Sequence, residues 1–496
     1  MSSATLNSNA SLANALAWIA SGPKRLLIGG QWLDAAARRT FDTLNPATEQ
    51  VLCQIAEADS ADVDAAVLAA RKAFENPSWS GVSPHARTRI LLRIADQVER
   101  HAEELAAIES LDNGMPLWYA KAAASAAADI FRYYAGWCSK MQGSTIPADA
   151  TGFIYTLREP LGVCGQIIPW NVPLLMASIK LANALCCGNT LVLKPADLAS
   201  LTSLRLAELI QEVDLPPGVI NVLPGYGHTA GAALSLHPDV DKIAFTGSTA
   251  VGKQIVQAST SNLKKVTLEL GGKAPNVVFA DADLEKAVQA AVKTFCGNSG
   301  QVCSAGTRLF VQRSVYDEVL ERVTQLASTF KVGDPLAADT KLGPLISAKQ
   351  RDRVHAYMEA GQEEGARLCL GGSHWRGAGY FVEPTVFGDV NNGMRIAQEE
   401  IFGPVLSVIA FDDEDDAVLQ GNDTSYGLSA AVWTRDISRA HKVVRALKAG
   451  RVWINTYGES DPAMPFGGYK QSGWGREFGQ ESIDAYTQVK AVMLRM

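Results

Sequence analysis

An α/β fold is what this chain predicts, and three observations predict it. From residue 163 onward, short β-rich runs alternate with apolar-patterned helical stretches, and such alternation builds parallel, doubly wound sheets with right-handed crossovers. A second alternation of the same kind begins after Gly271-Gly272. Finally, 496 residues with 47% hydrophobic and 20% charged side chains have an ordinary globular balance, with room for roughly three domains.

Taken in order, residues 1–22 are rich in Ala, Ser and Asn and read as a flexible tail, without the basic start and apolar run of a signal peptide. Apolar residues at three- and four-residue spacing predict helices over 62–74 and 84–110, and Gly114-Met-Pro116 separates these from an Ala-rich third helix. Residues 149–156 suggest a short hairpin. The first alternation places strands at 163–168, 190–193, 219–223, 242–245 and 265–270, with helices at 174–187, 201–213, 229–236 and 251–259 between them. The second places strands at 276–279, 308–312, 405–411, 430–433 and 451–455, with helices at 283–295 and 316–330. Weak alternation over 485–494 fits an edge strand.

Composition excludes several functions. A net charge of −7 lacks the basic face that a nucleic-acid binder needs. The 8 cysteines and 7 histidines show no zinc spacing and no disulfide framework, which implies no metal and a reducing, cytoplasmic setting. The most apolar stretch, 163–193, is interrupted by Pro169, Asn171, Pro173, Lys180, Gly188 and Asn189, so no membrane span is expected.

Four segments could carry chemistry. In Gly297-Asn-Ser-Gly-Gln-Val-Cys303, a thiol follows a glycine-bent loop whose free N–H groups could stabilise an oxyanion; otherwise Cys303 is a small buried hydrophobe. Glu269, in Val266-Thr-Leu-Glu-Leu-Gly-Gly272, would become a proton acceptor if buried, whereas strand alternation alone favours an outward-facing acid. Asn171 follows Ile168-Pro169-Trp170 at a strand end and offers an amide N–H, or serves only as turn chemistry. Finally, Gly247-Ser248 leads through Gly252-Lys253 into a helix start suited to a phosphate. This nearly matches a P-loop, which makes an NTPase the alternative, but Gln254 stands where that motif needs a hydroxyl.

Together these segments resemble the aldehyde dehydrogenase superfamily over nearly the whole chain, from about residue 26 to 492. Glu269-Leu-Gly-Gly-Lys273 and Gly300-Gln-Val-Cys303 are similar to its two signature motifs. Asn45-Pro-Ala-Thr48, Pro169-Trp-Asn171, Lys194-Pro195, Phe245-Thr-Gly-Ser248, Glu400-Ile-Phe-Gly-Pro404 and Pro465-Phe-Gly-Gly-Tyr-Lys470 follow in the family's order. The resemblance implies a Rossmann-like doubly wound cofactor domain (1–139 and 160–270), a second α/β catalytic domain (271–470) and a small β oligomerisation arm (140–159 and 471–496). It implies a homodimer or homotetramer. It also implies Cys303 as nucleophile, Glu269 as the base for the hydrolytic water and Asn171 as oxyanion donor. The carboxylate at 269 favours hydrolysis over acyl transfer to coenzyme A.

The same resemblance implies a dinucleotide held by Ile168, Pro169, Trp170, Lys194, Asp197, Gly247, Ser248, Gly252, Leu270, Glu400 and Phe402. Asp197 stands where the family usually has Glu; a carboxylate there repels a 2′-phosphate, favouring NAD, with NADP possible. The aldehyde pocket would be lined by Val172, Leu175, Met176, Ile179, Val302, Ser460 and Phe466. These residues, with Asp461-Pro-Ala-Met-Pro-Phe466, imply a hydrophobic or aromatic aldehyde such as an arylacetaldehyde. Glu459 and Asp461 keep an amino- or betaine-type aldehyde open as the alternative.

Overall fold

In the computed structural model, which describes residues 3–149 and 151–495, the first alternation forms an eight-stranded sheet. Its parallel strands Lys265–Glu269, Lys242–Thr246, Val163–Ile167, Thr190–Lys194 and Ile220–Val222 lie side by side in that spatial order. Strand order therefore reverses between Val163–Ile167 and Lys242–Thr246, and a reversal opens a crevice at the strands' carboxyl ends. Antiparallel strands close both edges: Leu26–Ile28 and Gln31–Leu33 on one side, Gly473–Trp474 on the other. Helices Pro173–Cys186, Leu201–Gln211 and Thr249–Ser259 supply the crossovers, and apolar cores fill both faces.

The second alternation forms a seven-stranded sheet. Pro275–Val278, Arg308–Gln312, Thr385–Gly388, Val405–Phe411, Ser429–Trp433 and Arg451–Ile454 run parallel, and Arg367–Leu370 is an antiparallel edge. The chain passes directly from the end of Lys265–Glu269 into Pro275–Val278. The carboxyl ends of the first sheet thus meet the amino ends of the second, where the loops leading into Arg308–Gln312 and Val405–Phe411 end.

The α/β reading holds, and strand boundaries agree within about two residues. Three local expectations need correction. Most of the tail expected over residues 1–22 is structured, since Ser3–Ala20 is a helix; residues 1 and 2 lie outside the described residues. Leu12, Ala15, Trp18 and Ile19 form one stripe of it and pack on the core, next to helix Ala102–Asn113. The run over 84–110 is two helices, Pro84–Arg100 and Ala102–Asn113, because His101 leaves helical geometry and its ring meets Glu104 at 2.9 Å. The segment 471–496 is divided, since only Thr487–Arg495 joins the small sheet, pairing along its length with Gly152–Pro160, which also pairs with Thr145–Ile146. Gly473–Trp474 belongs to the first sheet, and Ile483 and Tyr486 enter its core.

Among the described residues no helix is long and apolar enough to cross a membrane, and no group of three or more His, Cys, Asp or Glu could hold a metal ion. All eight cysteines are free thiols.

Candidate active site

Cys303 ends a loop with unusual backbone. Asn298, Ser299 and Gly300 take positive φ values of 47°, 55° and 74° in succession. A Cβ on Gly300 would lie 2.1 Å from the Gly403 carbonyl oxygen, so only glycine lets the loop pack there. Strain of this kind persists only where surrounding contacts enforce it. Here buried amides do so. The Asn298 side chain donates to the Asn171 carbonyl at 2.7 Å, the Asn171 side chain to the Gln301 carbonyl at 2.8 Å, and the Gln301 side chain to the Asn298 carbonyl at 3.2 Å. Asn113 adds bonds to the Trp170 and Asn171 carbonyls. This closed ring joins Asn171 to the Cys303 loop. It uses one Asn171 amide hydrogen and leaves the other free.

Glu269 ends its strand only 3% exposed, and neither carboxylate oxygen has a hydrogen-bond partner. Strand alternation suggested the opposite, but Gly473–Trp474 pairs beside it and Gly467 lies against it, where a Cβ would come within 2.8 Å of Glu269 Oε1. Burial pushes its carboxyl well above the usual range, and Glu477 adds to this, while Lys180, Arg476 and Arg451 oppose it. Lys180 and Glu477 form a fully buried ion pair beside it. The half-buried Cys303 thiol is pushed up to about 12, first by desolvation and then by Glu400 and Glu269. It therefore rests protonated, and an attack needs a base or a positive field. The turn after Glu269 also touches it, since a Cβ on Gly272 would lie 2.5 Å from the Cys303 carbonyl oxygen.

The residues expected to hold a dinucleotide border the strand-order crevice. Ile168, Pro169 and Trp170 leave Val163–Ile167, Lys194 and Asp197 leave the next strand, and Gly247 and Ser248 leave Lys242–Thr246. Gly247 donates its N–H to the Glu269 carbonyl at 3.0 Å. Ser248 caps helix Thr249–Ser259, and Leu270 packs so closely on Gly252 that a Cβ would meet it at 2.7 Å. Glu400 reaches across from the second sheet and accepts from the Gly272 N–H at 3.0 Å; burial pushes its carboxyl up to about 7. A Cβ on Gly271 would lie 2.3 Å from the Glu400 carboxylate, so a side chain there would displace that acid. Phe402, held at φ 61°, meets Trp170 edge to face at 5.2 Å. Burial brings the Lys194 amine down to about 8, opposed by Asp197. A glycine-lined crevice with a helix start, a buried acid and a flat aromatic wall fits a dinucleotide. Lys253 is exposed and bonded to Gln471, away from any P-loop role.

Of the expected pocket residues, Val172, Leu175 and Met176 cluster with Leu117 and Tyr119. Val302 and Phe466 are half-buried and Ser460 is exposed. Ile179 is the exception: it is 1% exposed and sealed in the core, with no open surface for a ligand. Glu459 and Asp461 both face water. Three contributors escaped the sequence reading: Lys180, Glu477 and Arg451. Sequence separation hid the first two, which meet across 297 positions. Arg451 is 4% exposed, lies over the Phe466 ring at 4.8 Å and donates to Ser460 Oγ at 3.1 Å.

Known proteins resemble this chain over nearly its whole length. The family model described as "Aldehyde dehydrogenase family" matches residues 32–492. The mitochondrial aldehyde dehydrogenase of Homo sapiens is 49% identical over 480 residues, covering 95% of this chain and 92% of that protein. The NAD+ complex of aldehyde dehydrogenase from Bacillus cereus superposes with a TM-score of 0.95 at 47% identity, covering 97% of this chain and 98% of that one. Betaine aldehyde dehydrogenase from Staphylococcus aureus, also bound to NAD+, reaches a TM-score of 0.96 at 39% identity, with 98% and 97% coverage.

Proposed function

The chain belongs to the aldehyde dehydrogenase family, and from that premise we propose that it oxidises a hydrophobic or aromatic aldehyde, such as an arylacetaldehyde, to the acid with NAD. The observation that carries the reading is the convergence of a thiol, an unpartnered buried acid and an amide at one junction between two sheets.

In this reading the Cys303 sulfur adds to the aldehyde carbon. Its proton passes to a base, and the carbonyl oxygen becomes an oxyanion held by the free Asn171 N–H and the Cys303 backbone N–H. A dinucleotide held in the crevice would supply the hydride acceptor that this oxidation to the thioester level needs. Burial raises the proton affinity of Glu269, and in its ionised form it takes a proton from water as that water attacks the thioester. The acid leaves and the thiol is restored. Lys180 and Glu477 set the field around Glu269. The crevice residues Ile168 to Trp170, Lys194, Asp197, Gly247, Ser248, Gly252, Leu270, Glu400 and Phe402 would hold the dinucleotide. Asp197, half-buried beside Lys194, disfavours a 2′-phosphate and supports NAD over NADP.

The apolar cluster of Val172, Leu175 and Met176 supports a hydrophobic aldehyde, and the solvated Glu459 and Asp461 give the amino- or betaine-type alternative little hold. Exposed Phe153, Leu157, Val489 and Met493 on the small sheet support its reading as an oligomerisation arm of a homodimer or homotetramer. The test is a panel of aldehydes with NAD and NADP, following reduced nicotinamide. Phenylacetaldehyde with NAD should give the higher kcat/KM. A trimethylammonio-aldehyde well above phenylacetaldehyde would reverse the substrate assignment.

A further inference from the structure

Arg451 is a buried cation without a counter-ion. Its guanidinium donates only to neutral oxygens: Ser460 Oγ at 3.1 Å, the Met464 carbonyl at 2.5 Å, and the Pro465 carbonyl at 3.3 Å and 3.2 Å. Among the described residues it forms no ion pair. It stacks on Phe466 at 4.8 Å and lies near Phe478 at 5.9 Å, so it braces the 460–466 loop that borders the aldehyde pocket. A fully desolvated, unpaired charge is costly, and proteins rarely keep one.

The groups that oppose its charge are ones that burial holds towards neutrality in the resting protein. Burial pulls its guanidinium down to about 10, so it stays charged at neutral pH, and its opposing influences are Glu269 and Cys303. Those groups are themselves held towards their proton-bound, neutral forms, as is Glu400. Lys180 and Glu477 neutralise each other. Arg476 is partly exposed and adds a second positive charge, while Glu459 and Asp461 are screened by water.

We propose that Arg451 determines charge specificity: its uncompensated cation admits uncharged or anionic aldehydes to Cys303 and turns away cationic ones. The inference rests on Cys303 being the group to which the aldehyde adds, and it deepens the substrate assignment. A unit charge acting across a partly desolvated site is worth about tenfold or more in relative rate.

The test reads Cys303 directly, so it does not depend on turnover. Methanethiosulfonates bearing a trimethylammonium, a neutral methyl or a sulfonate group react with the thiolate, forming a mixed disulfide and releasing methanesulfinate. Rates are corrected with a Cys303→Ala protein. The intact enzyme should react at least about tenfold slower with the cationic reagent than with the anionic one. Arg451→Gln should remove most of that difference, and Arg451→Lys, which keeps the charge without the planar fork, should retain it. Circular dichroism of both variants separates a lost field from a lost fold, and if Arg451→Gln fails to fold, Arg451→Met, which keeps apolar contact with Phe466, supplies the uncharged comparison. A reagent-charge ratio near one in the intact enzyme, or one unchanged in a folded Arg451→Gln protein, overturns the inference. Absence of aldehyde oxidation with the ratio intact would instead overturn the proposed reaction.

Discussion

At the scale of single residues, the chemistry depends on how Asn171 and the buried acids are held. The Asn171 amide is fixed by the Gln301 carbonyl, so removing it takes away a preorganised donor and not a mobile one. Asn171→Ala should lower kcat by about 10²–10³, a barrier cost of ~3–4 kcal/mol, with a smaller change in KM, as steady-state kinetics would record. Glu109 is a different case. It accepts from the Leu174 N–H at 3.0 Å, capping the helix that carries the pocket residues, and burial pushes its carboxyl up to about 8. An acid raised in the folded state binds a proton that the unfolded chain releases. Its contribution is full below the unfolded value of 4.5 and is lost as pH rises through the folded value of about 8. Thermal unfolding should therefore occur at lower temperature at about pH 8 than at about pH 5, and Glu109→Gln should flatten that decline. Asp112, pushed up to about 7, keeps part of it. Cys303, Glu269 and Asn171 were legible because each sits in a local motif. Lys180, Glu477 and Arg451 were not, because what matters about them is a partner or a missing partner far along the chain.

At the scale of elements, parallel strands were easy to read and short antiparallel ones were not. Val163–Ile167, Thr190–Lys194 and Lys242–Thr246 are buried throughout and appear as short, mainly apolar runs without alternation. Thr40–Leu44 alternates exposed and buried, Arg367–Leu370 is only half-covered, and both lie among turn residues that mask them. The Ser3–Ala20 helix was hidden by its Ala, Ser and Asn content, although its buried stripe is real. The Trp18 indole donates to Glu208 at 2.7 Å and the Lys24 amine to the Trp18 carbonyl at 2.5 Å, which satisfies the helix end. Deleting residues 1–20 would uncover apolar surface on helix Ala102–Asn113, whose last turn supplies Glu109 and Asn113 to the site. Burying Ile19 and Trp18 is worth on the order of 2–5 kcal/mol, so the truncated protein should melt several degrees lower by calorimetry. An unchanged melting temperature would show that the helix does not pack as described.

At the scale of the whole molecule, two sheets of similar architecture play unequal parts. The first contributes the carboxyl ends of its strands, as ligand-binding α/β sheets do. The second contributes its amino ends, and its own strand-order reversal, between Pro275–Val278 and Ser429–Trp433, is filled from within. There the Asp281 carboxylate accepts from Thr434 at 2.9 Å and from the Arg435 and Asp436 N–H groups, and Arg439 pairs with it at 3.0 Å. One crevice is thereby left open and one closed, a division that the two alternations in the sequence could not reveal. The claim underlying all of this is that the aldehyde's acyl group is carried covalently on the sulfur of residue 303. A Glu269→Gln protein mixed with aldehyde and NAD, digested and analysed by mass spectrometry, tests it most directly. The account predicts an acyl mass on the peptide containing Cys303 and on no other cysteine; an unmodified Cys303 during turnover, or a Cys303→Ala protein that still reduces NAD, would contradict it.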